Sequence, residues 1–173
     1  MPESYRPPLR KDDKEARTRS QSLDTNTTRA DATVRDALAA KNTAVHTITP
    51  DETLLDAVET LRAHGIGALV VVADGGALAG ILSERDIVRK LADAPGETLP
   101  QTVAEVMTRE VETCTPDEPL VSVLTRMTEG RFRHMPVMTD GSLSGVISIG
   151  DAVHFRLKQL EHEALQMKQL IVG

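Results

Sequence analysis

The chain has 173 residues and a formal net charge of -6, and 40% of its residues are hydrophobic but only 2% aromatic. The acidic balance argues against binding to a phosphate backbone, and the scarcity of aromatic residues argues against stacking of single-stranded bases. A single cysteine, no apolar run near the roughly 20 residues of a membrane span and no apolar targeting segment at the N-terminus predict a soluble, cytoplasmic protein.

The first part of the chain divides into a polar tail and a folded unit. Residues 1–31 are polar and mixed in charge, so a disordered N-terminal tail is expected. A short helix is predicted over 34–40 and a strand over 45–48. Thr49 can cap a helix, Pro50 suits the first helical position and Glu52 lies three residues after the cap, which predicts a helix from there to about residue 64.

Two strands and a helix complete this unit. The apolar run 68–73 predicts a strand covered on both faces, and a Gly-containing turn joins it to a strand over 78–82. A helix is predicted from 83 to 91. Residues 96–102 are expected to form a linker between a first repeat at 32–95 and a second at 103–158.

The second repeat follows the same plan. A helix over 103–107, a strand over 111–114, a helix opened by Thr115, strands over 135–138 and 143–148, and a helix from Ser148 are predicted. Residues 45–54 return as 111–120, shifted by 66 positions, and the shift becomes 65 after the Asp-Gly turn. The predicted fold class is therefore α+β, with two strand–helix–strand–strand–helix repeats packed as one pseudo-two-fold module.

The last helix extends beyond its counterpart in the first repeat. Its apolar residues are spaced alternately by four and three, which is a heptad pattern: Val153, Leu157, Leu160, Ala164, Met167 and Ile171. The first half of this stripe is expected to pack on its own domain. The extension over 159–173 is expected to meet a partner helix.

Each repeat carries a Ser-x-x-Asp segment directly after its last strand. Ser83 with Asp86, and Ser148 with Asp151, place a hydroxyl and a carboxylate in the first turn of a helix, where backbone N–H groups and the dipole favour an anion. A carboxylate can accept hydrogen bonds from both hydroxyls of a ribose. The alternative is ordinary helix capping. Two copies, each after glycine and a short apolar strand, favour the binding role.

The arrangement resembles the CBS-domain pair, the tandem cystathionine β-synthase-type module that binds adenosine nucleotides. The resemblance covers about residues 32–158. Its residues are the two Thr-Pro-Asp-Glu segments, the run 65–72, the run 132–137 and the Gly-apolar-apolar-Ser-x-x-Asp segments at 80–86 and 145–151. It implies that the aspartate binds ribose, the serine faces phosphate and the ligand lies between the repeats, as in a small stand-alone bacterial protein of this type.

Further candidate residues follow from the ligand's charge and from the resemblance. Arg131, Arg133 and His134 form a basic cluster in the second repeat only, and Arg85 is a weaker phosphate candidate, so the two sites should be unequal. With few aromatic residues, adenine is expected to be held by aliphatic side chains and backbone. The resemblance implies Thr47, Ile66 and Gly67 for the Asp151 site, and Val111, Thr113 and Met135 for the Asp86 site.

The leading hypothesis is a non-enzymatic regulatory module that binds AMP or a related adenosine nucleotide and signals occupancy to an unknown regulated protein. NAD(H) sensing and a structural scaffold with vestigial sites are the alternatives. No catalytic residues and no metal site are predicted, since no nucleophile, phosphate-cradling loop or clustered histidines are apparent. A homodimer through the helices of the repeats and the C-terminal helix is expected, because CBS pairs commonly associate this way.

Overall fold

The computed structural model describes residues 32–41 and 44–172. The predicted tail over 1–31 lies outside the described residues. The elements, in chain order, are α1 (Val34–Lys41), β1 (Thr47–Ile48), α2 (Leu54–His64), β2 (Ala68–Val72), β3 (Leu78–Ser83), α3 (Glu84–Asp93), α4 (Val103–Val106), α5 (Leu120–Gly130), β4 (His134–Thr139), β5 (Ser142–Ser148) and α6 (Ile149–Val172). None of the helices described is both long and apolar enough to cross a membrane.

Each repeat is built on its own small sheet. In repeat 1, β1 pairs parallel with β2, which pairs antiparallel with β3. In repeat 2, β4 and β5 form an antiparallel pair. Both hairpins shift register once, after Val71 and after Val137, which are equivalent positions. The predicted α+β fold with two repeats and a long C-terminal helix is confirmed.

The leading helix of each repeat packs on the other repeat. α1 contacts α5, β5 and α6, and its Val34 belongs to the core of repeat 2. α4 packs beside α3, and its Val103 belongs to the core of repeat 1. Equivalent backbone hydrogen bonds fix both leading helices to the opposite repeat. Val34 N donates to Glu118 O at 3.0 Å, and Val103 N donates to Glu52 O at 2.8 Å. Because each leading helix belongs to the core of the other repeat, the two repeats form one folding unit.

The two helices predicted to begin at Thr49 and Thr115 begin later, so that prediction is wrong. α2 starts at Leu54 after the cap Thr53, and α5 starts at Leu120. The threonine–glutamate bonds do form, with Thr49 N donating to Glu52 Oε2 at 2.7 Å, but they close a turn. The carbonyl groups of this turn accept hydrogen bonds from α4 instead of from a helix of their own.

The strand predicted over 111–114 is also absent from the described structure of repeat 2. Only Cys114 bridges to Val137, with its N–H donating to Pro136 O at 3.1 Å. The Thr113 carbonyl accepts a hydrogen bond from the Arg126 guanidinium at 3.1 Å. Pro136, the equivalent of Val70 in β2, has no N–H with which to continue the parallel pairing before Cys114.

The heptad stripe of α6 does not pack on its own domain. Val153 and Leu157 are 45% and 55% exposed, so the prediction for the first half of the stripe is wrong. The face that packs is the adjacent one, carrying the fully buried Ala152 and the partly buried Phe155. The apolar stripe is therefore uncovered in the single chain as far as Met167, which is 60% exposed.

Candidate functional site

Two clefts lie between the repeats, and we call the larger one cleft 1. It has a volume of about 870 Å³. Residues 64–68 of repeat 1 line it on one side, and the end of β5 and the start of α6 line it on the other. The remaining lining comes from His134 at the start of β4 and from the end of α1 and the segment after it: Leu38, Lys41, Ala44, Val45 and His46.

Asp151 is held in cleft 1 by local bonds of the α6 N-terminus. Its Oδ2 accepts hydrogen bonds from Ser148 N at 2.9 Å and Ser148 Oγ at 2.6 Å, and Asp151 N donates back to Ser148 Oγ at 3.1 Å. This is a reciprocal capping pattern. The Ser-x-x-Asp segment therefore caps its helix and at the same time presents a carboxylate to the cleft.

A lysine from the other end of the chain reaches the same carboxylate. Lys41 Nζ lies 2.8 Å from Asp151 Oδ2, and the two side chains are only 30% and 25% exposed. Burial raises the pKa of Asp151, but the hydrogen bonds from Lys41 and Ser148 outweigh burial and leave its pKa below the ordinary value. The carboxylate is therefore ionised at neutral pH and is an acceptor only.

His134 stands between the two clefts. A Cβ on Gly67 would lie 3.5 Å from the His134 ring, an ordinary van der Waals contact, so the imidazole packs beside the backbone of repeat 1. Burial lowers the pKa of His134, and Lys41 and Arg133 lower it further, against the opposing effect of Asp151. The imidazole is consequently neutral at neutral pH, and can both donate and accept a hydrogen bond.

A stacked pair of imidazoles lines cleft 1 beside Ile66. The rings of His46 and His64 have centroids 3.7 Å apart and planes inclined by 25°. His46 precedes β1 and His64 ends α2, so residues 18 apart in sequence form one stack of two rings in this cleft. The two imidazoles add to the aliphatic side chains and backbone that are expected to hold a base, and that expectation stays a prediction.

The second cleft, cleft 2, is the counterpart on the other side of His134. It has a volume of about 590 Å³. The start of α3, the end of α5 and the segment 110–112 line it, and Gly67 and His134 line both clefts. Four arginines and four carboxylates are among its lining residues: Arg85, Arg89, Arg131, Arg133, Glu84, Asp86, Glu110 and Glu112.

Asp86 repeats the geometry of Asp151 without the lysine. Asp86 Oδ2 accepts hydrogen bonds from Ser83 N at 2.9 Å and from Ser83 Oγ at 2.5 Å. Arg85, the residue before Asp86, donates from its guanidinium to the Arg131 carbonyl at 3.2 Å, which joins repeat 1 to repeat 2 across the cleft. The two carboxylates thus belong to separate clefts with different neighbours.

The structure brings most of the sequence-predicted residues to one cleft or the other. Cleft 1 receives Ile66, Gly67, His134, Ser148 and Asp151. Cleft 2 receives Gly67, Ser83, Arg85, Asp86, Val111, Arg131, Arg133 and His134. Each Ser-x-x-Asp segment therefore faces backbone of the other repeat.

Three predicted residues line neither cleft. Thr47 is exposed on β1, Met135 is fully buried in the core of repeat 2, and Thr113 lies beside Arg126. Sequence reasoning missed Lys41, the two stacked histidines and Arg89. Only Arg89 had a sequence signal, since it lies four residues after Arg85 on a predicted helix and so shares its face.

Comparison with known proteins yields a consistent result. A family model described as "CBS domain" matches residues 34–93 and 103–158. The CBS domain-containing protein CBSX3, mitochondrial, of Arabidopsis thaliana is 37% identical over 129 residues, which cover 72% of this chain and 63% of that protein. The chain therefore spans less than two thirds of that relative's length.

Solved structures show the same similarity. The CBS-domain protein ATU1752 from Agrobacterium tumefaciens superposes with a TM-score of 0.70 at 42% identity, over 72% of this chain and 99% of that one. The domain pair of protein MJ0100, solved with 5′-methylthioadenosine and S-adenosyl-L-methionine, superposes with a TM-score of 0.65 at 25% identity, over 75% of this chain and 98% of that one.

Proposed function

Because the chain belongs to the CBS-domain family, we propose that it is a non-enzymatic regulatory module that binds adenosine nucleotides, AMP foremost, between its repeats. The observation that carries this proposal is the pairing of each Ser-x-x-Asp segment with backbone of the opposite repeat in an open cleft. The complex of protein MJ0100 with two adenosine compounds supports an adenosine ligand.

In cleft 1, each part of such a ligand has a chemically suitable neighbour. The ribose hydroxyls donate to the ionised Asp151, which Ser148 holds in place. An outer ring face of the His46–His64 stack, beside Ile66, offers stacking area for the base. Lys41 and His134 supply the donors for a phosphate.

Ligand binding can be signalled to a partner protein because both clefts lie between the repeats. A ligand in either cleft contacts Gly67 and His134, which belong to different repeats and line both sites. Binding therefore alters the packing of one repeat on the other. A regulated partner that prefers one arrangement receives the signal by linkage.

We extend the proposal to a homodimer through the exposed helical faces. Large exposed apolar residues occur at equivalent positions of the two repeats, Leu55 with Val121 and Val88 with Val153. On α6 the stripe continues through Leu157, Leu160 and Met167. Each such side chain contributes roughly 1.5–3 kcal/mol when it is buried, and a second copy related by two-fold symmetry covers all of them at once.

Isothermal titration calorimetry with AMP tests the nucleotide proposal. We expect binding to the parent protein and no conversion of AMP when the same sample is followed by chromatography. Replacing both Arg133 and His134 by alanine should weaken AMP far more than adenosine, because only AMP carries the phosphate. Absence of heat with AMP, ADP, ATP and NADH would contradict the proposal.

A dinucleotide such as NAD(H) is the second candidate. It is favoured by the shared lining of the two clefts, because a ligand that spans both would cross at Gly67 and His134. Stoichiometry separates the two candidates. A dinucleotide that spans both clefts binds once per chain and is displaced by AMP, whereas separate mononucleotides bind twice.

A further inference from the structure

The two clefts differ in how many cationic side chains line them and in whether those side chains already form ion pairs. Cleft 2 is lined by four arginines, whereas the lysine that lines cleft 1 is bound to Asp151. Among the ion pairs that join described residues, none involves an arginine of cleft 2. The Arg85 guanidinium already donates to the Arg131 carbonyl, whereas those of Arg89, Arg131 and Arg133 pair with no described carboxylate and can meet an anionic ligand.

The repeat itself shows that these arginines are specific to cleft 2. Three of the four equivalent positions hold glycine: Gly150 corresponds to Arg85, Gly65 to Arg131 and Gly67 to Arg133. The fourth, opposite Arg89, is His154, which is exposed on α6 and does not line cleft 1. At three equivalent positions of the repeats, cleft 2 therefore has guanidinium groups where cleft 1 has glycine.

The backbone at Arg131 adds an independent observation. Arg131 follows α5 as its C-cap in the left-handed region with a φ of 57°, and its counterpart Gly65 caps α2 with a φ of 61°. A side chain is strained there and glycine is not. The carbonyl of Arg131 accepts a hydrogen bond from the Arg85 guanidinium, so Arg131 also positions the Arg85 side chain. Backbone strain of this kind is retained where the side chain has a use.

We propose that cleft 2 takes an adenosine di- or triphosphate, whereas cleft 1 takes an adenosine compound with one phosphate or none. Guanidinium forks bind phosphate oxygens bidentately, and several of them suit a chain of phosphates better than a single one. Three glutamates, Glu84, Glu110 and Glu112, also line cleft 2, so the discrimination comes from where the arginines stand and not from net charge. The inference rests on the proposed binding of adenosine nucleotides.

Single-cleft proteins make the assignment testable. Asp151→Asn leaves cleft 2 as the intact site, and Asp86→Asn leaves cleft 1. Each protein is titrated calorimetrically with adenosine, AMP, ADP and ATP in EDTA. We expect the Asp151→Asn protein to bind ADP or ATP at least about tenfold more tightly than AMP, and the Asp86→Asn protein to gain nothing beyond the first phosphate.

Arg131→Gly separates ligand binding from folding. We expect ADP and ATP affinity at cleft 2 to fall about tenfold, adenosine affinity to stay within twofold, and the melting temperature to stay level or rise. If Arg131 were purely structural, its replacement would lower the melting temperature and leave the preference for ADP and ATP over adenosine unchanged. Arg89→Met should act in the same direction on affinity, with Arg62→Met, an exposed arginine of α2 outside both clefts, as its matched control.

The outcomes separate this inference from the proposed function. Equal affinity of cleft 2 for AMP and ATP, together with an Arg131→Gly protein that binds both as the parent does, overturns the polyphosphate assignment and leaves AMP binding intact. Failure of the parent protein to bind any of the four ligands overturns both proposals.

Discussion

Replacing Asp151 by asparagine should separate ribose recognition from helix capping. The amide oxygen of asparagine can still accept the bonds that Ser148 donates to Asp151 Oδ2, but the negative charge is lost. Loss of a charge-assisted bond to the ribose amounts to roughly 1.5–3 kcal/mol, so AMP affinity at cleft 1 should fall about ten- to hundredfold.

The effect on stability should be small by comparison. The partly exposed Lys41 pair contributes about 1 kcal/mol at most, so the melting temperature of Asp151→Asn should fall by about 3 °C. Asp151→Ala also removes the cap, worth about 1 kcal/mol more, and should fall by about 6 °C. Folding lowers the pKa of Asp151, so its contribution is complete above about pH 4 and is lost on further acidification.

Isothermal titration calorimetry measures the loss of AMP affinity, and differential scanning calorimetry measures the fall in melting temperature. Asp86→Asn is the matched control, since Asp86 has the same serine bonds but no lysine partner within 4.0 Å in the described chain. An Asp151→Asn protein that binds AMP at cleft 1 within twofold of the parent would refute ribose recognition. If instead Asp151→Ala unfolds while Asp151→Asn binds AMP as the parent does, capping is the main role of this residue.

The remaining predictions concern protonation, thiol reactivity and assembly. Because folding lowers the pKa of His134, the unfolding free energy should decrease as pH falls below about 6.5, and His134→Gln should reduce that slope; an unchanged slope in urea titrations would contradict the buried neutral imidazole. Burial raises the pKa of Cys114 to about 11, so a thiol reagent at pH 8 should label it only at the rate of unfolding, and rapid labelling of native protein would show that the site opens. Glutamate at both Leu160 and Met167 should convert the proposed dimer to a monomer in sedimentation while AMP binding persists, and a parent that is monomeric at tens of micromolar ends the dimer proposal.

Features that depend on neighbours in sequence were predictable. The Asp-Gly turns and the two Ser-x-x-Asp segments rest on interactions within four residues, such as Ser148 with Asp151, and the buried strands are visible as short apolar runs. The repeat then doubled the evidence for each feature. The helix starts at Thr49 and Thr115 were misplaced because the local bonds of a capping pattern form equally well in a turn.

The sequence by itself determined the two repeats, most of their elements and the two carboxylates that line the clefts, because these follow from periodicity and from bonds between near neighbours. Only the tertiary structure decided what surrounds those carboxylates. Lys41 reaches Asp151 from 110 residues away because α1 packs on the opposite repeat, and His46 meets His64 because the start of β1 and the end of α2 lie at one cleft. Such contacts depend on how whole helices and strands pack against each other, and patterns of neighbouring residues do not predict that packing.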